Sequence, residues 1–227
     1  MARFVLVHGA FSGAWIWGPL VERLKAAGHS AEAFDLPGLG DDQTPASEVT
    51  LDACAARLCE VLAASSEPAV VVGNSMGGIS ATEAAARCPE RVAALVYATA
   101  FVPKDGQSLL DLTKLPEGAG DQVQANITIE GEPPVAIMPA AASRHALYGS
   151  CAEDVAAWAM PGSARNRSRP SGRRYRFGLE LSRASTGISW CARGIGPFRW
   201  RCSGGWPPRT RVSTSLSSTR ITRRTCR

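Results

Sequence analysis

Ser75 stands in Gly73-Asn74-Ser75-Met76-Gly77, directly after the apolar run Ala69-Val70-Val71-Val72 and directly before a stretch of helical spacing, Ile79 to Arg87. A serine with glycines two before and two after it suits a nucleophile at the apex of a strained strand-to-helix turn. Larger side chains at the glycine positions would crowd the backbone there. The chemistry would be nucleophilic attack on a carbonyl carbon. A serine hydroxyl at neutral pH is a poor nucleophile until a neighbouring base takes its proton, and a carboxylate must orient that base. The bare G-x-S-x-G pattern is common, and an ordinary serine in a Gly-rich connection is the competing reading. The flanking strand and helix favour the catalytic one.

The elements that would hold such a turn recur along the first hundred residues. Arg3 to Val7 reads as a strand, Trp17 to Ala27 as a helix, and Ser30 to Asp35 as a strand ended by Pro37-Gly38. Leu51 to Ala64 has apolar residues at helical spacing. Ala69 to Val72 is the strand before Ser75, Met76 to Cys88 its helix, and Val92 to Ala98 the next strand. Strands alternating with helices predict an α/β fold, a mostly parallel sheet with helices on both faces. Its site would lie at the carboxyl ends of the strands. From Val102 to Trp158 the pattern breaks into pieces punctuated by Pro and Gly, which suits a small cap shaping an apolar pocket. Phe11, Trp15 and Phe101 are candidate pocket residues, with Leu109 and Leu110 beside them; core packing is the competing role for each. The organisation expected is a core over residues 1–102, a cap-like region over 103–160 and a tail over 161–227.

A second informative stretch follows the first strand: His8-Gly9-Ala10-Phe11-Ser12-Gly13-Ala14-Trp15. Together with Gly28-His29, Asp35-Leu36-Pro37-Gly38, the Ser75 turn, Ala100-Phe101-Val102-Pro103 and Asp105-Gly106, it resembles the α/β-hydrolase superfamily. The likeness is to the branch of plant methyl-ester esterases, hydroxynitrile lyases and bacterial esterases that include pyrethroid-hydrolysing enzymes. Ala146-Leu147-Tyr148-Gly149 with Cys151 and Glu153-Asp154 fits a cap signature of that branch, and the likeness runs to about residue 160. The resemblance implies hydrolysis of small to medium apolar carboxylic esters, pyrethroid-type esters among them, through an acyl-enzyme on Ser75 and without a cofactor. It also implies an oxyanion hole from the backbone N–H groups of Ala10 and Met76, with Phe11 as the substitute for Ala10. His8 reads as a hydrogen-bonding prop of that loop. Related hydroxynitrile lyases carry Thr after the loop His and Lys beside the catalytic His; Gly9 departs from the first of these. A dehalogenase would carry Asp at the position of Ser75.

Charge divides the chain at Met160. Up to there nine Lys and Arg face nineteen Asp and Glu, a net of −10; from Pro161 sixteen Arg face Glu180 alone, a net of +15. The tail shows no sustained apolar periodicity. Read one base back, the codons of Gly194 to Pro207 can encode Asp-Arg-Ala-Ile-Pro-Leu-Ala-Leu-Gln-Arg-Arg-Met-Ala. Those from Ser218 can encode Asp-Thr-Asp-His-Ser-Pro-Tyr-Leu, with Asp before the His. These resemble the family segments that carry the catalytic Asp and His, and the stretch from Pro161 is therefore expected to be out of frame. In the printed frame the histidine that follows Ser75 is His145, in the cap-like region, and no triad is recognisable. Loss of a triad member costs on the order of 10⁴ to 10⁶ in rate. A sheet lacking the strands of acid and base would also expose an apolar edge.

The alternative from another class is a non-catalytic protein whose Arg-rich tail binds nucleic acid, with Trp190, Trp200 and Trp206 stacking on bases. Composition supports it, but no binding motif does. There is no phosphate loop, dinucleotide fingerprint or metal-ligand spacing, so no cofactor or metal is expected. No apolar run approaches the roughly 18 residues of a membrane span, and Met1-Ala2-Arg3 opens no leader. Cys54, Cys59, Cys88 and Cys151 read as reduced thiols of a cytoplasmic protein.

Overall fold

A computed structural model describes residues 1–160 and, beyond them, the backbone of a two-residue strand at Phe177–Gly178. Strands β1 (Arg3–Val7), β2 (Ser30–Ala33), β3 (Ala69–Ser75) and β4 (Val92–Ala100) form a parallel sheet in the order β2-β1-β3-β4. Helices α1 (Gly18–Ala26), α2 (Leu51–Ala63) and α3 (Gly77–Arg87) connect them. The chain steps from β1 to β2, then crosses back over β1 to β3. Right-handed crossovers therefore put α1 on one face and α2 and α3 on the other, where those two helices pack together.

The α2 sequence explains its place. The Thr50 hydroxyl accepts the Ala53 N–H at 3.0 Å and caps the helix, and Leu51, Cys54, Ala55, Leu58, Val61 and Leu62 form one buried stripe. Arg3, buried at the start of β1, donates to the carbonyls of Val61 (2.6 Å) and Leu62 (2.8 Å) and pairs with Glu32 at 2.8 Å. One guanidinium thus ties two strands to the end of α2.

β3 and β4 run past their apolar cores. Gly73, Asn74 and Ser75 pair with Tyr97, Ala98 and Ala100, so ladder bonding carries the strands beyond Val72 and Ala98. Among the described residues β4 is the outer strand, no residue of it is buried, and Val96 is 44% exposed. β3 beside it is largely buried.

After β4 come α4 (Leu109–Thr113), the antiparallel pair β5 (Thr128–Glu130) and β6 (Val135–Ile137), then α5 (Ala140–Tyr148) and α6 (Glu153–Ala159). Strand β7 (Phe177–Gly178) adds to β6. Leu112, Ala136 and Met138 join the main core, while Tyr148, Ala156 and Ala159 form a smaller cluster against Ile16 and Trp158. Apart from β7, the tail expected to be out of frame lies outside the described residues.

One expectation is corrected. Cys59, near the end of α2, and Cys88, just past α3, are joined in a disulfide with Cα atoms 6.3 Å apart, while Cys54 and Cys151 are free. Spacing could not reveal this, because 29 residues separate the pair and only the packing of α2 on α3 brings them together. The cytoplasmic reading rested partly on reduced thiols, and the crosslink removes that support. Closing a loop of this length is worth roughly 3–4 kcal/mol in chain entropy. Cys59→Ser should therefore lower the unfolding free energy read from urea titrations by about that much, and dithiothreitol should lower that of the wild type but not of the variant.

Burial pushes the Cys54 thiol from 9.0 up to about 12 and the Tyr148 hydroxyl from 10.0 up to about 12. The fold favours both groups neutral, so their contribution is complete below the unfolded values and is lost as pH rises from about 9 towards 12. The urea midpoint should fall across that window; a midpoint that rose there would contradict the assignment.

Candidate active site

β1 and β3 are neighbours, with Val7 opposite Gly73, and the order of the sheet reverses at this pair. Such a reversal opens a crevice at the carboxyl ends of the two strands. The loop leaving β1 therefore lies against the turn leaving β3. Ser75 sits on that turn, half-buried, with φ of 51°, a conformation that costs a non-glycine residue about 1–2 kcal/mol. A Cβ on Gly73 would lie 2.7 Å from the Gly77 carbonyl oxygen, and one on Gly77 would lie 2.5 Å and 2.6 Å from the carbonyl oxygens of His8 and Val7. The two flanking glycines let α3 start close against β1. Gly78, outside the motif, meets the same limit 2.5 Å from the Phe101 carbonyl oxygen.

The β1 loop is held by His8 and Asp35. The buried His8 ring donates from Nδ1 to the Gly9 carbonyl at 2.8 Å and accepts the Leu36 N–H on Nε2 at 3.1 Å. One nitrogen donates and the other accepts, so the ring is neutral and both positions are used. The Ser12 hydroxyl donates to the same Gly9 carbonyl at 2.9 Å. Asp35 accepts the Ala14 N–H at 2.6 Å and the Asp41 N–H at 2.9 Å, joining the β1 and β2 loops. A Cβ on Gly9 would stand 2.8 Å from the Ser75 Cβ, which measures how closely this loop approaches the serine. Among the described residues, the N–H groups of Ala10 and Met76 donate to no part of the chain. Met76 sits at the N-terminus of α3, where the helix dipole favours negative charge.

A bulge in β4 completes the turn. Ser75 pairs with Ala100 while Asn74 pairs with Ala98, leaving Thr99 as the extra residue with φ of 46°. The Asn74 amide donates to the Ala98 carbonyl at 2.9 Å and to the Thr99 hydroxyl at 3.2 Å, and the Phe101 N–H donates to the Ser75 carbonyl at 3.1 Å. The hydrogen-bonding roles of Asn74, Thr99 and Asp35 were not read from the sequence. Asn74 lay inside the motif and could have been noticed as a polar residue capable of pinning a neighbouring strand.

The candidate pocket residues separate. Phe11, with φ of 59°, is buried in the main core. Phe101 stays half-buried beside the Ser75 backbone. Half-buried Trp15 donates its indole N–H to the Ala159 carbonyl at 3.2 Å, docking α6 on the loop region. A separate open groove of about 410 Å³, lined by Thr113 to Ala125, includes none of these residues.

Neither His29 nor His145 is hydrogen-bonded to Ser75. His8 is engaged as described, His29 accepts the Ala2 N–H at 3.3 Å at the opposite end of the sheet, and His145 stands exposed on α5 without a hydrogen bond to Ser75. Among the described residues no cluster of His, Cys, Asp and Glu could hold a metal ion, and no helix is long and apolar enough to cross a membrane.

A sequence model of the alpha/beta hydrolase family matches residues 4–212. The chain belongs to the alpha/beta hydrolase family. Methylesterase 7 from Arabidopsis thaliana is 43% identical over 105 residues, 44% of this chain and 40% of that protein. Polyneuridine aldehyde esterase matches in structure with a TM-score of 0.60 and 28% identity, over 77% of this chain and 74% of that one. A pyrethroid hydrolase matches with a TM-score of 0.63 over 80% and 70%, at 20% identity, a likeness of fold alone. The chain spans about 40–49% of the length of the curated relatives it matches. The family match runs past residue 160, where the likeness in the sequence ended.

Proposed function

We propose that this site is that of a serine carboxylesterase in which Ser75 attacks the carbonyl carbon of a carboxylic ester and carries the acyl group. The observation that supports this most directly is Ser75 itself. It is a non-glycine residue in a left-handed conformation between a buried strand and a helix, with the β1 loop closed against it. Strain of this kind persists where the surrounding structure over-determines it, and it clusters at active sites. The N–H groups of Ala10 and Met76 are the donors for the oxyanion, helped by the α3 dipole. Small to medium apolar esters suit a site with half-buried Phe101 beside the Ser75 backbone, with residues 103–160 as its cap. Pyrethroid-type esters belong to that class, and the esterase relatives support the reaction type.

The direct test is a fluorophosphonate probe followed by peptide mapping. Label on the peptide holding Ser75 is expected, one equivalent per chain, and urea unfolding beforehand should abolish it. Label on another residue in the folded protein would overturn the assignment.

A further inference from the structure

Two demands meet at Gly9. A Cβ there would stand 2.8 Å from the Ser75 Cβ and 3.2 Å from the backbone and side-chain oxygens of Asn74, so the position needs glycine. Glycine also leaves the following peptide free to swing, because no side chain restricts the backbone on that side. That peptide, Gly9–Ala10, carries the N–H assigned above to the oxyanion. It is trans and planar, so its C=O and N–H point in opposite directions and turn together. Whatever holds the Gly9 carbonyl therefore aims the Ala10 N–H. Two buried side chains hold it. His8 Nδ1 donates at 2.8 Å and the Ser12 hydroxyl at 2.9 Å, one donor for each lone pair. The His8 ring is fixed in turn by the Leu36 N–H on Nε2 at 3.1 Å. Ser12 is anchored through its neighbour Phe11, which takes a left-handed φ of 59° and is buried in the main core.

We propose, resting on the serine-esterase reading above, that Ser12 is a positioning residue for the oxyanion. Its hydroxyl, sharing the Gly9 carbonyl with His8, fixes the rotation of the Gly9–Ala10 peptide. The Ala10 N–H then stays aimed at the negative charge that grows on the ester carbonyl oxygen as Ser75 attacks. Ser12 acts only through that peptide. The neutral carbonyl of a bound ester accepts a hydrogen bond weakly, and the charged oxygen accepts one strongly. Correct aim therefore serves the transition state far more than it serves binding. Loss of one oxyanion donor costs about 10²- to 10³-fold in rate. A donor kept but turned out of line costs part of that, about tenfold to a hundredfold.

The test compares a fluorophosphonate with its sulfur analogue, in which P=S replaces P=O, on the full chain and on Ser12→Ala and Ser12→Cys. Cysteine keeps nearly the volume of serine, but its thiol is a weak donor, so this variant reports on the hydroxyl even if the alanine variant unfolds. In both variants labelling should still reach one equivalent on Ser75, and the concentration giving half the maximal rate should stay as in the wild type. The maximal rate with the P=O reagent should fall at least about tenfold. The P=S reagent should lose much less, because its sulfur accepts hydrogen bonds poorly. A purely structural role would slow both reagents equally, or leave a smaller folded fraction reacting at the wild-type rate. Either result, or unchanged rates, would overturn the Ser12 proposal and leave Ser75 as the nucleophile. Failure of the folded wild type to take label on Ser75 would overturn the esterase reading and this inference with it.

Discussion

Ser75→Gly should give a protein that takes up no fluorophosphonate and is more stable than the wild type. The loss of labelling is complete because the attacking oxygen is gone. The gain in stability follows from the backbone: Ser75 has φ of 51°, which glycine adopts without steric cost. Relief of that strain, less the entropy of freeing the unfolded chain, should raise stability by about 1 kcal/mol. Ser75→Ala, which keeps a Cβ in the strained conformation, should lose labelling without the gain. Parallel urea titrations of the two variants separate strain from chemistry. Equal midpoints would show that the surroundings of the turn, rather than its dihedral angle, set the energy.

Gly77→Ala carries the largest expected penalty in stability. A methyl group there would stand 2.5 Å and 2.6 Å from two carbonyl oxygens of the β1 end, and both belong to rigid backbone in the centre of the sheet. A clash with backbone cannot be relieved by a rotamer change, so α3 must move off β1 and the Met76 N–H must move with it. The expected cost is about 3 kcal/mol or more, read as a fall in the urea midpoint. Labelling of Ser75 should slow in whatever fraction stays folded. As a control, Gly106→Ala sits where nothing lies within 4 Å of the added carbon. Its φ of 73° still strains the new residue, so it should lose about 1 kcal/mol, well short of the Gly77 variant.

The sheet, its helices and the turn at Ser75 were legible because each is written locally. Val5-Leu6-Val7 and Val71-Val72 are buried in the sheet centre, α2 carries a stripe of helical period, and the glycines around Ser75 answer a steric demand within five residues. The role of His8 as a prop was also within reach, since a histidine at a strand end beside Gly9 has backbone groups close at hand. The Phe11 side chain shows the limit of such reading. An aromatic residue in a loop gives no sign of direction, and only the tertiary structure shows that Phe11, at a left-handed backbone position, is buried in the main core.

By itself the sequence determined the fold class, the position of the candidate nucleophile and the division of charge at Met160, because periodicity, motif spacing and composition are properties of neighbouring residues. Tertiary structure alone decided what depends on elements far apart in the chain. The Cys59–Cys88 crosslink needs α2 packed on α3, and the Asp35 bridge needs the β1 and β2 loops side by side. At the Thr99 bulge, Asn74 reaches across to hydrogen-bond β4. The three histidines could be counted in the sequence, but the groups that the His8 and His29 rings engage could not be read there. A side chain's distance from a reacting atom is fixed by strand order and register, and neither is encoded in any single stretch of residues.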